Sequence, residues 1–289
     1  LGCLSASAQT VSAQQDFESG FTGINVGDMF SVTVRGADYY GVDWNVDSAI
    51  KNYVHVYKRG TELVITVDRK SFDSATKKLY SGKKAKNAVI KAVVYAPKLS
   101  SVVASEDAKV DVSNIDIQVE SFNLDITDNA VVKGLAVNSP AVTLSAAKKA
   151  VLEESFIDAG NLSVNALNSA VMTVDQTSKN LSLQVNASST VNVSGNCESI
   201  DVTSQNSAKL NIKGEALSIN LGAGCKEIHA EELKVSDVKV VGSNNCKVYV
   251  YPEETLSLDL KGGCHVLYAG KPEIDIVNIQ NSSVGHLNL

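Results

Sequence analysis

Residues 161–174 show a pattern that recurs through most of the chain: Asn161-Leu162-Ser163-Val164-Asn165-Ala166-Leu167-Asn168-Ser169-Ala170-Val171-Met172-Thr173-Val174. An alternating apolar pair comes first, then a turn-forming Asn-Ser step, then one small residue, and then a second alternating apolar pair. Apolar and polar residues that alternate with a period of two predict a strand with one buried face. Each unit therefore contains at least two short strands joined by a tight turn.

The small residue of this unit returns at nearly even steps of 20, 20, 19, 19, 17, 21, 18 and 19 residues. The positions are Ala130, Ala150, Ala170, Ser189, Ala208, Cys225, Cys246, Cys264 and Ser283. Repetition at one period near 20 is typical of a solenoid, in which each repeat buries its apolar side by stacking on its neighbours. A leucine-rich repeat would also need an outer helix, and the units show no helical period.

Strands this short, repeated at this period, can only pair in parallel with the next repeat. The sequence therefore predicts an all-β fold, a single-stranded parallel β-helix of about ten rungs, with right-handed crossovers expected from the general preference. Asn, Asp and Gly before the small residue tolerate a left-handed backbone and turn the chain at a corner. Only Ala, Ser or Cys fits inside that corner, so the nine small residues are expected to form one structural column.

Three segments are predicted along the chain. Residues 1–16 are an export-signal remnant followed by a polar and mobile leader. Residues 17–98 are an N-terminal β region, expected to be an antiparallel sheet that caps the open end of the β-helix. Within it the lysine-rich residues 69–87 are predicted to be a solvated loop. Residues 99–289 are the parallel β-helix repeats.

The first residues suggest an exported protein. Ala6-Ser7-Ala8 fits the small-x-small cleavage site of a secretory signal peptide, with Gln9 as the mature start. Leu1-Gly2-Cys3 also fits the end of a bacterial lipobox, which would make Cys3 a lipidated anchor to the outer membrane. Simple cleavage is favoured over lipidation, and a cytoplasmic protein with a ragged start is the third interpretation. The first two interpretations place the protein at the cell surface, the outer membrane or the periplasm.

Cysteine and charge limit the chemistry. Cys197, Cys225, Cys246 and Cys264 are interpreted as buried thiols in preference to disulfides, although an exported protein can contain bridges. The spacing of Cys and His does not match a zinc site, so no metal and no cofactor are expected. The net charge is −6 and the chain has no basic patch, which argues against nucleic acid as a partner.

Several short motifs, in order, resemble a known family: Gly23-Ile24-Asn25, the hairpin from Val56 to Val67, the segment from Val93 to Leu99, Tyr268-Ala269-Gly270-Lys271-Pro272 and Asn281-Ser282-Ser283. They are similar to the putative auto-transporter adhesin, head GIN domain family of exported bacterial proteins. The resemblance covers nearly the whole chain from Phe17. It implies a surface or periplasmic β-helix with a role in adhesion and supplies no catalytic residues.

Non-catalytic binding of a glycan or surface protein is therefore the favoured function, and no catalytic residue is predicted. The competing hypothesis, a polysaccharide lyase or hydrolase, needs clustered carboxylates or a cationic base. All three arginines precede the repeats, and His229, His265 and His286 occupy different places in their rungs. A rod that spaces other domains from the membrane is a second alternative.

Two sets of residues are candidates for ligand contact. Tyr39, Tyr40 and Trp44 cluster near turns, where aromatic rings can stack on sugars or pack the cap. Outward polar columns on the β-helix faces form the second set: Thr143, Ser163, Ser182, Asp201 and Asn220, with Asn165, Gln184 and Thr203 beside them.

Overall fold

The computed structural model describes residues 9–80 and 88–287, and about 70% of it is strand. Within these residues the chain forms twenty strands, one short α-helix and two 3-10 turns. The strands are β1 Thr10–Asp16, β2 Gly23–Val26, β3 Ser31–Gly36, β4 Gly41–Asp47, β5 Val54–Arg59, β6 Glu62–Val67, β7 Ile90–Ala96, β8 Ser101–Ala104, β9 Lys109–Asn114, β10 Ile117–Gln118, β11 Ser121–Ile126, β12 Val131–Lys133, β13 Ala136–Ala147, β14 Val151–Leu167, β15 Val171–Val185, β16 Thr190–Gly242, β17 Lys247–Leu260, β18 His265–Tyr268, β19 Glu273–Ile279 and β20 Ser283–His286. The helix α1 is Ser74–Leu79, and the 3-10 turns are Ser48–Tyr53 and Arg69–Ser71.

The strands build a β-solenoid of about nine turns, which confirms the predicted fold and comes close to the expected ten rungs. Each rung has three sides. Side A includes β8 and β11, side B includes β9 and β12, and side C begins at β10. Strands β14 to β17 extend over more than one side because the backbone stays extended through some corners. Neighbouring rungs pair in parallel and in register, as when Leu162 pairs with Leu181 and Leu181 with Ile200.

One continuous apolar core fills the solenoid. The alternating pairs seen in the sequence point into it, and Leu162, Val164, Met172 and Val174 are at most 1% exposed. Side chains at the same position of successive rungs stack at the strand spacing of about 4.8 Å, so each rung covers the apolar surface of the one before it.

The predicted column of small residues lies inside one corner. Eight of its nine members are at most 1% exposed, and Ser283, in the last described rung, is exposed. The residue that follows a column member commonly donates its backbone N–H to the carbonyl of the column member one rung earlier, for example Val151 N to Ala130 O at 3.0 Å and Thr190 N to Ala170 O at 2.9 Å. The turn residues Asp128, Asn168 and Asn244 have φ of 66°, 54° and 60°, the left-handed backbone expected of a corner.

The N-terminal region differs from the predicted antiparallel sheet. Strands β2 and β3 run parallel to β8 and β9 and form the first rung in chain order. On the opposite side β6 and β7 pair in parallel with β2 and β3 and cover this rung. Antiparallel pairing is found in the β5–β6 hairpin and where β4 pairs with β1 and β7. The pattern of this first rung explains the difference: β2 and β3 bury alternate residues, and Asp28 between them has φ 59°, as in the later corners.

The predicted polar leader is also structured, because residues 10–16 form β1. This strand pairs along its whole length with β4, from Thr10 with Asp47 to Asp16 with Gly41. Its side chains are mostly polar and exposed, so the backbone hydrogen bonds of the ladder hold it in place. The sequence signal was weak because a strand at the edge of a sheet can remain polar on both faces.

Part of the predicted lysine-rich loop forms regular structure. Asp73 caps α1 by accepting a hydrogen bond from Thr76 N at 2.7 Å, and Phe72 is buried against Tyr53 at a ring distance of 4.9 Å. Arg69 contacts Asp28 through Nε and Asp107 through Nη1 at 3.3 Å. The segment therefore ties the end of the solenoid to its first two corners. Residues 81–87 of the predicted loop lie outside the described residues.

Asp28 is expected to make stability depend on pH. Burial raises the pKa of its carboxyl to about 7, aided by the negative Glu106 and opposed by the Arg69 guanidinium. An unfolded Asp titrates near about 4, so between about pH 4 and pH 7 the folded chain binds more protons than the unfolded chain. The free energy of unfolding should therefore fall as pH rises through this window. Asn tolerates the left-handed backbone of position 28, so Asp28→Asn can remove the titration without breaking the corner.

We expect the unfolding free energy of Asp28→Asn, minus that of the wild type, to be larger at pH 8 than at pH 5 when both proteins are measured by urea denaturation. The variant also loses the contact with Arg69, at pH 5 and at pH 8 alike. The titration of Asp28 is therefore measured by how much the difference in unfolding free energy between variant and wild type changes from pH 5 to pH 8. A difference in unfolding free energy that is equal at pH 5 and pH 8 would contradict the raised pKa.

The cysteines correct one prediction. Cys246 and Cys264 form a disulfide with their Cα atoms 4.5 Å apart, whereas Cys197 and Cys225 are free. The interpretation of Cys246 and Cys264 as thiols was wrong because stacking places the same corner position of adjacent rungs within bridging distance. Burial raises the pKa of the Cys197 thiol to about 11, with a smaller lowering by Gln176, and burial also raises the pKa of Cys225.

Candidate functional site

The three aromatic residues predicted to bind ligand make different contacts. Tyr39 is 45% exposed and stacks on Tyr95 with ring centroids 5.3 Å apart. Tyr40 is partly buried and meets Phe21 edge-on at 5.1 Å, and Trp44 on β4 packs partly buried against the core. Tyr40 and Trp44 thus contribute to packing, and Tyr39 offers the most open ring. Ligand binding by the three stays a prediction. Cys3, the predicted lipidation site, lies outside the described residues.

The predicted polar columns lie on side A. Thr143, Ser163, Ser182 and Asp201 pair in register across four rungs, and beside them Asn165 pairs with Gln184 and Gln184 with Thr203. Hydrogen bonds between rungs link some of them, such as Asn220 Nδ2 to Asp201 Oδ1 at 2.9 Å. This side offers a regular polar surface, but none of its column residues lines the two depressions described next.

A depression of about 500 Å3 lies on side B and the corner after it. Its lining is mostly polar: Thr173, Asn192, Val193, Ser194, Asn211, Ile212, Lys213, His229, Glu231 and Glu232. Thr173 pairs in register with Asn192, and Asn211 Nδ2 donates to Asn192 Oδ1 at 2.6 Å. Asparagines stacked in this way present an amide at each rung, and each amide can both donate and accept hydrogen bonds.

His229 is held from three directions in this depression. Its Nδ1 lies 2.9 Å from Glu231 Oε1, its Nε2 lies 3.3 Å from Glu227 Oε1, and its ring stacks on Tyr249 at 4.6 Å with the two planes only 4° apart. A neutral imidazole can donate only one of these two hydrogen bonds, whereas a protonated ring donates both. Glu231 Oε2 is buried and has no hydrogen-bond partner within the described residues. Such an oxygen is an acceptor suited to a ligand N–H or O–H.

A second depression, of about 370 Å3, lies on side C around Phe156. Phe156 is 63% exposed, while its neighbours Ser155 and Ile157 are at most 3% exposed. A β-bulge after Leu152, with Glu154 at φ 52°, shifts the register so that Ser155 points inward and Phe156 outward. Ser155 Oγ is satisfied by donating to Thr173 O at 2.9 Å. The bulge thus exposes an aromatic ring that the usual hydrophobic preference would bury.

The two depressions adjoin at one hydrogen bond, in which Ser194 Oγ donates to Asp175 Oδ1 at 3.3 Å. Ser194 lines the first depression and Asp175 lines the second. We call the combined surface the side B–C groove.

Within the described residues no group of three or more His, Cys, Asp or Glu is arranged to hold a metal ion.

The groove was not predicted from the sequence, and the corner at Cys225 is part of the reason. If every second residue after Cys225 faced the core, Glu227 and His229 would be buried. The structure buries Ile228 and Ala230 instead. Only two residues separate Gly224 from Glu227, whereas three separate Ser243 from Lys247 in the next rung. The apolar residues Ile228 and Ala230 themselves were the available signal, because they imply that the polar residues between them face outward.

A family model described as putative auto-transporter adhesin, head GIN domain, matches residues 20–213 and again residues 156–272. No curated protein matches the sequence significantly. None of the helices within the described residues is both long and apolar enough to span a membrane.

Solved structures share the fold over nearly the whole chain. A putative adhesin from Parabacteroides merdae is 16% identical, with a TM-score of 0.56 and 97% of both chains covered. A putative adhesin from Parabacteroides distasonis is 17% identical, with a TM-score of 0.53, and covers 97% of this chain and 98% of its own. A putative lipid binding protein from the same organism is 14% identical, with a TM-score of 0.51, and covers 96% of this chain and 97% of its own.

Identities this low establish a common fold and leave the ligand open. The family model, in contrast, matches well over half of the chain, and it includes the first rung, the N-terminal hairpin and the groove. The chain belongs to the putative auto-transporter adhesin, head GIN domain family.

Proposed function

We propose that this chain is a non-catalytic, adhesin-like protein of the bacterial cell surface or periplasm that binds a glycan in the side B–C groove. Membership of an adhesin family supports the general role. The Cys246–Cys264 disulfide supports export, because disulfides form and persist in oxidising compartments. A rigid solenoid with a long polar side surface suits recognition of an extended ligand.

The observation that carries the proposal is the combination of an amide ladder and an unpaired carboxylate oxygen in one depression. Asn192 and Asn211 can exchange hydrogen bonds with sugar hydroxyls, and Glu231 Oε2 can accept from a hydroxyl or an amine. The stacked His229 and Tyr249 rings form one end of this surface. Sites built to hydrogen-bond polar ligands contain such convergent donors and acceptors on a preformed scaffold.

Asn211→Ala tests the proposal. We expect this variant to bind about tenfold more weakly to the glycans that the wild type retains on an array, because a lost hydrogen bond to a ligand is worth about 1 to 1.5 kcal/mol. Asn180→Ala is the matched control. Asn180 Nδ2 donates to Asn161 Oδ1 at 2.8 Å, and Asn180 Oδ1 accepts from Ser199 Oγ at 2.9 Å, in a ladder that does not line the groove.

Equal unfolding temperatures for the two variants, with a binding defect in Asn211→Ala alone, would support the groove. Two results would overturn the proposal: equal binding by both variants, or no retention of any glycan by the wild type.

Cleavage of a polysaccharide is the alternative that one observation favours. His229 between Glu227 and Glu231 has the surroundings of a general base. Lys213 lies 2.7 Å from Glu232 in an ion pair, and no arginine is among the described lining residues. Release of reducing ends from a bound polysaccharide, abolished by His229→Ala, would establish catalysis in place of binding.

A further inference from the structure

Phe156 is the feature of the groove that folding alone does not explain. Glu154 turns the chain from side B to side C with φ 52°, as Gly134 does with φ 71° at the matching corner of the preceding rung. The residues that follow this corner are a buried serine and an exposed phenylalanine. In the same column the neighbouring rungs have Ala136 and Asp175. The corner therefore does not require an aromatic ring at this outward position, since alanine and aspartate occupy it in the neighbouring rungs.

The ring is surrounded by negative charge. Asp116, Asp158 and Asp175 line the depression with Phe156, and the described lining contains no lysine or arginine. Each carboxylate makes one side-chain hydrogen bond, from Gln118 at 2.8 Å, Asn138 at 3.2 Å and Ser194 at 3.3 Å respectively. A carboxylate can accept about four such bonds, so capacity for a ligand remains. An aromatic face among carboxylates attracts a cation and repels an anion.

The distance from Phe156 to Glu232, at the far end of the first depression, can be counted in rungs. Phe156 pairs with Asp175 and Asp175 with Ser194, Lys213 follows Ser194 by 19 residues, and Lys213 bonds Glu232 of the next rung. Four rung spacings amount to about 19 Å. The monomer repeat of an extended pyranose chain is close to one rung spacing, so a chain lying along the solenoid axis stays in step with the rungs.

We propose that the side B–C groove binds a linear oligosaccharide that contains amino sugars and lies along the solenoid axis. The chain extends from the Asn192–Asn211 ladder to Phe156, where an aminated sugar ring stacks. This inference rests on the proposed glycan-binding function and adds the chemical class, length and direction of the ligand. Across the two depressions the described lining residues include five carboxylates, of Asp116, Asp158, Asp175, Glu231 and Glu232, against one lysine, so uronate chains are disfavoured.

The probes are chitosan oligosaccharides of two and six glucosamine units, and their binding affinities are measured by isothermal titration calorimetry. We expect the wild type to bind the hexamer about tenfold or more tightly than the dimer, because only the hexamer reaches from Asn211 to Phe156. Phe156→Ala should bring hexamer affinity close to that of the dimer and leave dimer affinity unchanged. Phe156→Tyr should retain the length dependence, since stacking depends on the ring. Fully N-acetylated hexamer should bind about fivefold or more weakly than the aminated hexamer.

Leu217→Ala is the control for surface truncation, since Leu217 is 62% exposed and lines neither depression. It should behave like the wild type with both probes. Phe156→Ala removes no charge, so its effect separates stacking from general attraction between a cationic chain and an acidic protein.

The inference would be overturned by equal affinity for dimer and hexamer, by an unchanged hexamer affinity in Phe156→Ala, or by no binding of any chitosan oligosaccharide. The first two results would leave glycan binding at Asn211 intact. Failure of the glycan array and of Asn211→Ala together would instead remove the proposed function itself.

Discussion

Gly195→Ala is expected to lower the free energy of unfolding by about 3 kcal/mol or more, because the fold needs glycine at this position for two reasons. Gly195 has φ 124°, a backbone region that L-residues rarely adopt. A Cβ there would overlap the carbonyl oxygen of Gln176 in the preceding rung and lie 2.8 Å from its carbonyl carbon. Both atoms belong to the backbone ladder between rungs, so the contact cannot be relieved by rotating a side chain.

The same arrangement repeats one rung later. Gly214 has φ 122°, and a Cβ on it would overlap the carbonyl oxygen of Gly195. The two glycines therefore let three rungs approach at the normal spacing at this corner. Because each rung contacts only its neighbours, strain here weakens the coupling between the N-terminal and C-terminal parts of the solenoid. We expect the denaturant transition of Gly195→Ala to broaden as well as to shift.

Gly60→Ala is the matched control. Gly60 has φ 62° in the β5–β6 hairpin, and a Cβ there would meet no atom within 4 Å. Gly60→Ala should lower the free energy of unfolding by only about 1 kcal/mol, because its one penalty is a non-glycine residue in the left-handed backbone region. If denaturation curves give Gly195→Ala and Gly60→Ala the same loss of unfolding free energy, the rungs can separate at Gly195, contrary to the packing in the structure.

Local chemistry explains why most of the architecture could be predicted from the sequence. Alternation such as that of Leu162 and Val164 requires one buried face, and an Asn or Asp before a small residue provides the left-handed backbone of a corner. Asn206 and Asn281, with φ of 60° and 48°, follow the same rule. The exceptions are instructive. Ala187 and Ser188 also have positive φ, so stacking on neighbouring rungs can impose a corner on residues that do not favour one.

Register was the part that sequence patterns left open. At Cys225 the corner is one residue short, and neither Gly222 nor Gly224 has a positive φ, although glycine before the small residue was predicted to turn the chain with a left-handed backbone. At Glu154 a bulge moves the alternation by one residue and places Phe156 outside. A shift of one residue exchanges the two faces of a strand, so simple alternation puts the residues on both sides of the groove on the wrong face.

The candidate site could not be predicted because it is assembled across rungs. Asn192 and Asn211 are 19 residues apart, and their contact depends on a register that each corner can change. The aromatic cluster of Tyr39, Tyr40 and Trp44 was easier to notice because it is local in sequence. Its rings nevertheless have different environments: Tyr39 is the most exposed, Tyr40 packs against Phe21, and Trp44 on β4 is partly buried and lines a shallow depression between β1 and β7.

Removal of the Cys246–Cys264 disulfide is expected to lower the free energy of unfolding by about 3 kcal/mol. The bridge joins residues 18 apart. Closing a loop of that size lowers the conformational entropy of the unfolded chain, which raises the free energy of the unfolded state by about 3 kcal/mol. The double variant Cys246→Ala, Cys264→Ala should show this loss in denaturant titrations without reductant. Reductant should destabilise the wild type by a similar amount and leave the double variant unchanged, because Cys197 and Cys225 are already thiols.

The loss should be concentrated at the C-terminal end. Cys264 precedes β18, which pairs with β20, and β19 pairs with β17, so the bridge fastens the last rungs to the rest of the solenoid. Since stability in a stack is a sum of neighbouring contacts, opening the bridge should promote fraying from this end. Hydrogen exchange should therefore accelerate in β18, β19 and β20 and stay unchanged in β13. Cys225→Ala, which truncates a buried thiol one rung away, is the control. A uniform acceleration along the chain, or an equal loss in Cys225→Ala, would refute this local role of the disulfide.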